Sequence, residues 1–170
     1  MIDLLVDRPG LTIRRAPVAA HLLVHCGPAD AAAIGTAVGV DLPAAMLTSC
    51  ATGGWHALHL APDEWLLIGA PADAPMLMHR FAAVAAPHSL VDIGERSPGL
   101  QIAGSHAVAL LAAGCPLDVE RMATGACTRT LFGKAMVILW RTGDGFTLEY
   151  ARSFDDYVTR LARLAAEDVS

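Results

Sequence analysis

Trp55-His56-Ala57-Leu58-His59-Leu60, Ala61-Pro62-Asp63 and Glu64-Trp65-Leu66-Leu67-Ile68-Gly69 follow one another without interruption. Two apolar runs around a Pro-Asp turn predict a β-hairpin. Residues 73–86 come next and place Leu77, Phe81 and Val84 on one helical face. The same grammar returns late in the chain. Ala135-Met136-Val137-Ile138-Leu139-Trp140-Arg141 runs through Thr142-Gly143-Asp144-Gly145 into Phe146-Thr147-Leu148-Glu149-Tyr150, and a helix is expected over 154–166. In that helix Phe154, Tyr157, Val158, Leu161 and Leu164 form the expected core face, Asp155, Asp156, Arg160, Arg163 and Glu167 the solvent face, and Ser153 the N-cap.

The segments between these units extend the repeat. Residues 1–10 read as a lead-in closed by Arg8-Pro9-Gly10. Leu11-Thr12-Ile13-Arg14-Arg15 and His21-Leu22-Leu23-Val24-His25-Cys26 read as strands. Gly27-Pro28 opens a helix lined by Ala31, Ile34 and Val38, and Gly39 closes it. His88 to Ile93 and Pro98 to Ala103 read as two strands around a turn at Gly94-Glu95-Arg96-Ser97. Gly104-Ser105 then starts a helix through Leu110 and Leu111, stopped by Gly114 and Pro116, and a strand follows at 127–132. Val24 to Gly39 answers Gln101 to Gly114 at an offset of about 77 residues. The pattern ββα(β)ββα therefore occurs twice, over 11–86 and 88–166, within a single domain spanning 1–170. The predicted class is α+β: two ferredoxin-like halves with antiparallel-rich sheets covered by helices. Turns of hairpin length cannot make the crossovers that a parallel sheet needs.

Composition narrows the function. Of 170 residues 54% are hydrophobic, but 32 of the residues are alanine, and no uninterrupted apolar run approaches the roughly 18 residues of a spanning helix. The acidic N-terminal stretch is no signal peptide, so the expected location is cytoplasmic, away from the membrane. Net charge is −5, and the 12 basic residues (11 of them arginine) form no run, which argues against a nucleic-acid partner. Cys26, Cys50, Cys115 and Cys127 stand singly and read as ordinary thiols. His21 and His25 point to the same side of one strand but lie about 13 Å apart, too far to share an ion. His56 and His59 point to opposite faces, and no metal site is expected. No nucleophile sits in a recognisable elbow, and no G-x-G-x-x-G marks a dinucleotide site. Trp55, Trp65 and Trp140 are expected to pack the core, with an indole N–H finding a partner.

Asp92, Arg96, Arg129 and Arg152 make one candidate polar cluster, able to bind a carboxylate (through bidentate arginine) or a pterin, or else to serve as an internal salt bridge or a subunit contact. The loops at 42–54 and 117–125 mix apolar and polar residues, and Leu117, Met122 and Arg129 are the candidate interface anchors, with self-association of the lone chain expected.

Leu60-Ala61-Pro62-Asp63-Glu64-Trp65-Leu66-Leu67 resembles the L-x-P-D-E-W-L-L stretch of the gamma subunit of heterotetrameric sarcosine oxidase. Val91-Asp92, Gly104-Ser105-His106-Ala107, Leu110 through Asp118, Gly125 through Thr130 and Arg152-Ser153-Phe154 continue the match in order. The resemblance covers about residues 55–166. It implies a fold like the folate-binding aminomethyltransferases and a non-catalytic assembly subunit without a cofactor of its own. FAD, FMN, NAD and tetrahydrofolate would sit on larger partner subunits and zinc on a small delta subunit, so the implied partners are alpha, beta and delta chains. The alternatives are a free-standing folate or one-carbon binding protein and a generic α+β interaction module. The K-G-C-Y-x-G-Q-E segment of the related folate-binding iron–sulfur assembly protein is missing, which weighs against the first of these.

Overall fold

The structure is a computed structural model that describes residues 3–143 and 145–169; Met1, Ile2, Asp144 of the second hairpin turn and Ser170 lie outside the described residues. Its strands and helices run β1 (Leu4–Arg8), β2 (Leu11–Arg15), β3 (Ala20–Cys26), α1 (Ala31–Val38), β4 (Ser49–Thr52), β5 (Trp55–Ala61), β6 (Glu64–Gly69), α2 (Ala74–Ala82), β7 (His88–Asp92), β8 (Gly99–Ala103), α3 (Ala107–Ala112), β9 (Cys127–Phe132), β10 (Ala135–Thr142), β11 (Gly145–Tyr150) and α4 (Asp155–Asp168). Two antiparallel sheets result, ordered β4-β5-β6-β3-β7 and β1-β2-β8-β11-β10-β9. Both long hairpins form where the alternation and turn residues place them.

One difference reorganises the reading. Strands β7 and β8 do not pair with each other across the turn at 94–97. Instead β7 pairs with β3, while β8 pairs with β2 and β11. The chain divides accordingly into two compact units, one of Val18–Glu95 and one that joins the residues up to Pro17 to those from Arg96 onward. From β2 onward, each half of the sequence runs strand, strand, helix, three strands, helix. Each sheet receives the leading strand of the other half. The lead-in segment is also more than a tail: residues 4–8 form β1, an edge strand paired with β2 and turned at Gly10 (φ +78°).

In the 18–95 unit α1 and α2 lie on one sheet face, where Leu22, Val24, Trp65 and Leu67 meet Ile34, Val38, Leu77 and Phe81. Helix α1 ends as its sequence predicts. Gly39 adopts the left-handed conformation (φ 75°) and its N–H reaches the Gly35 carbonyl, while Arg80 donates to the Val38 carbonyl at 3.0 Å. In the other unit Ile13, Ile102, Leu139 and Leu148 meet Leu110 and Leu111 of α3 and Val158 and Ala162 of α4. The two cores fill equivalent rungs with different side chains. Trp55 lies across Gly69, whereas the other unit pairs Val137 with Tyr150. The cross-strand pair His59–Trp65 stacks at 4.3 Å, and its counterpart Arg141–Phe146 sets the guanidinium 5.1 Å above the ring.

Helix α4 corrects the expected face. It buries Val158, Thr159, Ala162, Ala165 and Ala166, while Phe154, Tyr157 and Leu164 are exposed. Alanine makes up much of its inward face, which meets the core through Val158, Ala162, Ala165 and Ala166, with Leu161 partly buried beside them. Its N-cap is Phe154 rather than Ser153, after a 3-10 turn at Arg152–Phe154. Among the described residues no helix is long and apolar enough to cross a membrane.

The Trp55–Gly69 contact generates a prediction. A Cβ at Gly69 would come within 2.6 Å of the indole ring. Gly69→Ala is therefore expected to overpack the 18–95 core and lower stability by about 1–3 kcal/mol in urea unfolding. Pairing it with Trp55→Phe should return part of that loss.

Candidate functional site

The densest charged cluster stands where β2 meets the start of α4. Alternation along β2 turns Leu11, Ile13 and Arg15 to the same side, so the last inward residue of a core-facing strand is an arginine. Arg15 Nη1 donates to Asp155 Oδ1 at 2.6 Å, and Arg15 Nε donates to Asp3 Oδ2 at 2.9 Å. Tyr150, the last residue of β11, donates its hydroxyl to the same Asp155 oxygen at 3.0 Å. Asp155 opens α4, where a negative charge also meets the positive end of the helix dipole.

The electrostatics follow from this geometry. Hydrogen bonding from Arg15 chiefly, and from Tyr150, holds the Asp155 carboxyl below the usual carboxylate range, against some burial and with help from the charge of Arg152. Burial first, and the bond to Asp155 second, push the Tyr150 phenol up. The bond to Asp155 likewise raises Arg15. This cluster is closed on itself: it ties the N-terminal hairpin to the last helix. Sequence reading overlooked it because Arg15 and Asp155 are 140 residues apart.

The sequence candidates are distributed differently. Asp92 ends β7 in the 18–95 unit, where its Oδ1 accepts the Gly94 N–H at 2.9 Å. The three arginines belong to the other unit and stand on three separate elements. Arg96 is exposed on a 3-10 turn, Arg129 is exposed in the middle of β9, and Arg152 lies in the turn that leads into α4. The register places Arg129, Ile138 and Glu149 in one cross-strand row on the face away from the helices. Glu149 was not singled out by its sequence, because a Phe-Thr-Leu-Glu-Tyr alternation predicts solvent for its polar members. The structure buries both Thr147 and Glu149, and the Glu149 carboxylate lies against Gly99, where a Cβ would stand 2.9 Å from Oε2.

Of the interface candidates, Leu117 is exposed, Arg129 is exposed on an edge strand, and Met122 is half-buried against the core of its own unit. The loop carrying Leu117 and Met122 is pinned by Arg141, whose Nη1 donates to the Val119 and Glu120 carbonyls. Among the histidines, His21 and His25 share a face of β3 and His56 and His59 lie on opposite faces of β5, as their spacing requires. His25 faces Glu64 at 3.7 Å. Among the described residues no three His, Cys, Asp or Glu side chains converge as metal ligands. Trp55 and Trp65 are core residues, and the Trp65 indole donates to the Pro43 carbonyl at 3.0 Å. All four cysteines are free thiols.

The model of the sarcosine oxidase gamma subunit family matches residues 24–167. The chain belongs to that family. Among solved structures, this gamma-family chain is similar to heterotetrameric sarcosine oxidase from Corynebacterium sp. U-96 in complex with pyrrole 2-carboxylate, with a TM-score of 0.83 and 26% identity over 96% of this chain and 87% of that one. It is also similar to the glycine cleavage system aminomethyltransferase T from Bartonella henselae, with a TM-score of 0.72 and 18% identity, covering 95% of this chain and 50% of that one. The second likeness is one of fold, and the gamma-family chain spans half the transferase's length. No curated sequence matches the chain significantly.

The acid limb of the stability curve tests the Arg15–Asp155–Tyr150 cluster. Because the folded Asp155 carboxyl lies below its unfolded value, its stabilisation is present above about pH 4 and is lost as pH falls towards the folded value. Asp155→Asn should lower stability near neutrality by about 1–2 kcal/mol, less than a fully buried charged hydrogen bond because the site is partly solvated. The gap to the native protein should narrow as pH drops below about 4 in denaturant melts.

Proposed function

We propose that this chain is the gamma-type subunit of a heterotetrameric sarcosine oxidase, a non-catalytic part that holds the alpha, beta and delta subunits in register. The observation that carries the reading is the family match over residues 24–167, joined to a fold shared over 96% of the chain with a heterotetrameric sarcosine oxidase. The chemistry of the described residues is in keeping with an assembly role. The strongest charged cluster is internally satisfied, and it serves to fasten β2 to α4. On this reading FAD, FMN, NAD and tetrahydrofolate belong to the larger companion subunits and zinc to the small delta subunit. The work of this chain is to bury surface against them during oxidative demethylation of sarcosine. A free-standing folate or one-carbon carrier draws on the aminomethyltransferase likeness, which is a likeness of fold.

Co-expression with the three companion subunits tests the proposal. The chain should co-purify in a one-to-one ratio with each, and its omission should leave the others poorly assembled with sarcosine oxidation sharply reduced. The isolated chain should be colourless and should retain no tetrahydrofolate in equilibrium dialysis. Stoichiometric folate on the lone chain, or full assembly without it, would overturn the reading.

A further inference from the structure

The two outer hairpins, β4–β5 and β9–β10, are equivalent in the repeat, and their registers allow a rung-by-rung comparison. His59 pairs with Trp65 where Arg141 pairs with Phe146, and Ala51 pairs with His56 where Arg129 pairs with Ile138. Counted from these rungs, the first hairpin closes at Thr52–Trp55, equivalent to Thr130–Val137, and turns at Gly53-Gly54. The second continues through Leu131–Met136 and Phe132–Ala135 before it turns at Gly133-Lys134. Two extra rungs lengthen it by about 6–7 Å.

The extension has two unlike sides. Inward, Phe132 and Ala135 are fully buried, and Tyr157 and Leu161 of α4 close over Gly133. The Tyr157 hydroxyl accepts the Lys134 N–H at 3.0 Å. Outward, the directly paired Leu131 and Met136 are 43% and 64% exposed. The Arg129–Ile138 rung shares their face. Strand β9 is the outermost strand of its sheet. A lengthened edge hairpin with an apolar outer face is an aggregation hazard unless something covers it. The equivalent hairpin avoids the hazard by stopping at two glycines.

Charge indicates what covers it. Residues 127–142 hold Arg129, Lys134 and Arg141 and no acid, in a chain of net charge −5, and Lys134 is the only lysine in the sequence. Arg141 turns inward over Phe146 and Arg129 shares its cross-strand row with Glu149, so Lys134 at the turn is the cation that edges the outer patch. A second copy fits this face badly, because a two-fold contact sets the same residues on both sides, and residues 127–142 offer no carboxylate to meet Lys134. We propose that the outer face of the β9–β10 extension seats a companion subunit whose contact surface is apolar and edged with carboxylates. The inference rests on the subunit reading above and names the surface through which it acts. Met136 and Leu131 are its anchors. Lys134 steers the encounter.

The test uses the full chain with its three companion subunits. Met136→Thr, which keeps strand propensity, should weaken incorporation by at least about tenfold, the loss expected of a buried anchor. Lys134→Glu should slow association and flatten its dependence on salt. Val18→Thr, at an exposed apolar site on the other unit, should assemble as the native chain does. Circular dichroism and urea midpoints check that each variant folds; Lys134→Glu lies in an exposed turn and remains informative if Met136→Thr is unstable. If the native chain itself fails to join the companions, the subunit reading falls. If the native chain assembles and both variants do so within about twofold of it, this surface is wrong while the subunit reading stands. If the lone chain sediments as a dimer that Met136→Thr abolishes while assembly persists, the face belongs to a second copy and the proposal is overturned.

Discussion

The pairing of β2 with β8 and of β3 with β7 is the constraint on which the rest of this structure depends. Each sheet takes a strand from the far side of a repeat boundary, so one sheet is built from the contiguous residues 18–95 and the other must join residues up to Pro17 to those from Arg96 onward. Ile13 faces Ile102 and Leu22 faces Asp92 across these ladders. The core of the discontinuous unit therefore begins at residues 11–13 and resumes at residue 100. The cluster of Arg15, Asp155 and Tyr150 reinforces the exchange. It joins the end of the donated strand to the helix that covers the recipient sheet, through charge-assisted hydrogen bonds that hold best between ionised partners.

Much of the architecture was legible locally. Pro62-Asp63 between two apolar runs marks a hairpin, Gly39 marks a helix end, and the recurrence of both patterns marks a duplication. The pairing of strands was not legible, since periodicity says which side of a strand faces the core but not which neighbour it will find. His88 to Asp92 looked like the first arm of a hairpin because a short turn follows it, yet a 3-10 turn there carries the chain from one sheet to the other. Helix α4 misled for a different reason. Hydrophobicity ranks Phe154, Tyr157 and Leu164 above alanine, but Val158, Ala162, Ala165 and Ala166 are the residues of this helix that meet the core, and packing favoured the smaller face.

The candidate sites show the same division. Arg129 could be picked out because it is a charged residue inside an expected strand, and it is exposed at the sheet edge. Arg15 looked unremarkable in a short strand, and Glu149 looked solvated in an alternating one; only the assembled sheet reveals the hydrogen bonds of the first and the burial of the second. The residues that carried the family resemblance are largely builders of the fold. Trp65, Leu66 and Leu67 lie in the 18–95 unit with their side chains buried, and Leu110 and Leu111 do so in the other. Gly114 packs against Phe132. A signature made of packing residues identifies a lineage and says little about chemistry, in keeping with a family whose name denotes a subunit.

The exchanged strand also sets the order of events on the ribosome. Residues 18–95 can close as a unit once β7 has emerged, but β1 and β2 leave the exit tunnel with only each other to pair against. Their partner β8 lies 89 positions downstream, counting from Ile13 to Ile102. At roughly 5–20 residues per second, the first hairpin waits for several seconds or longer as an unpaired edge in the nascent chain. Two arginines at its end, Arg14 and Arg15, give that waiting segment charge that discourages premature strand pairing. Synthesis runs from the N-terminus, yet the first residues made are among the last to find their place.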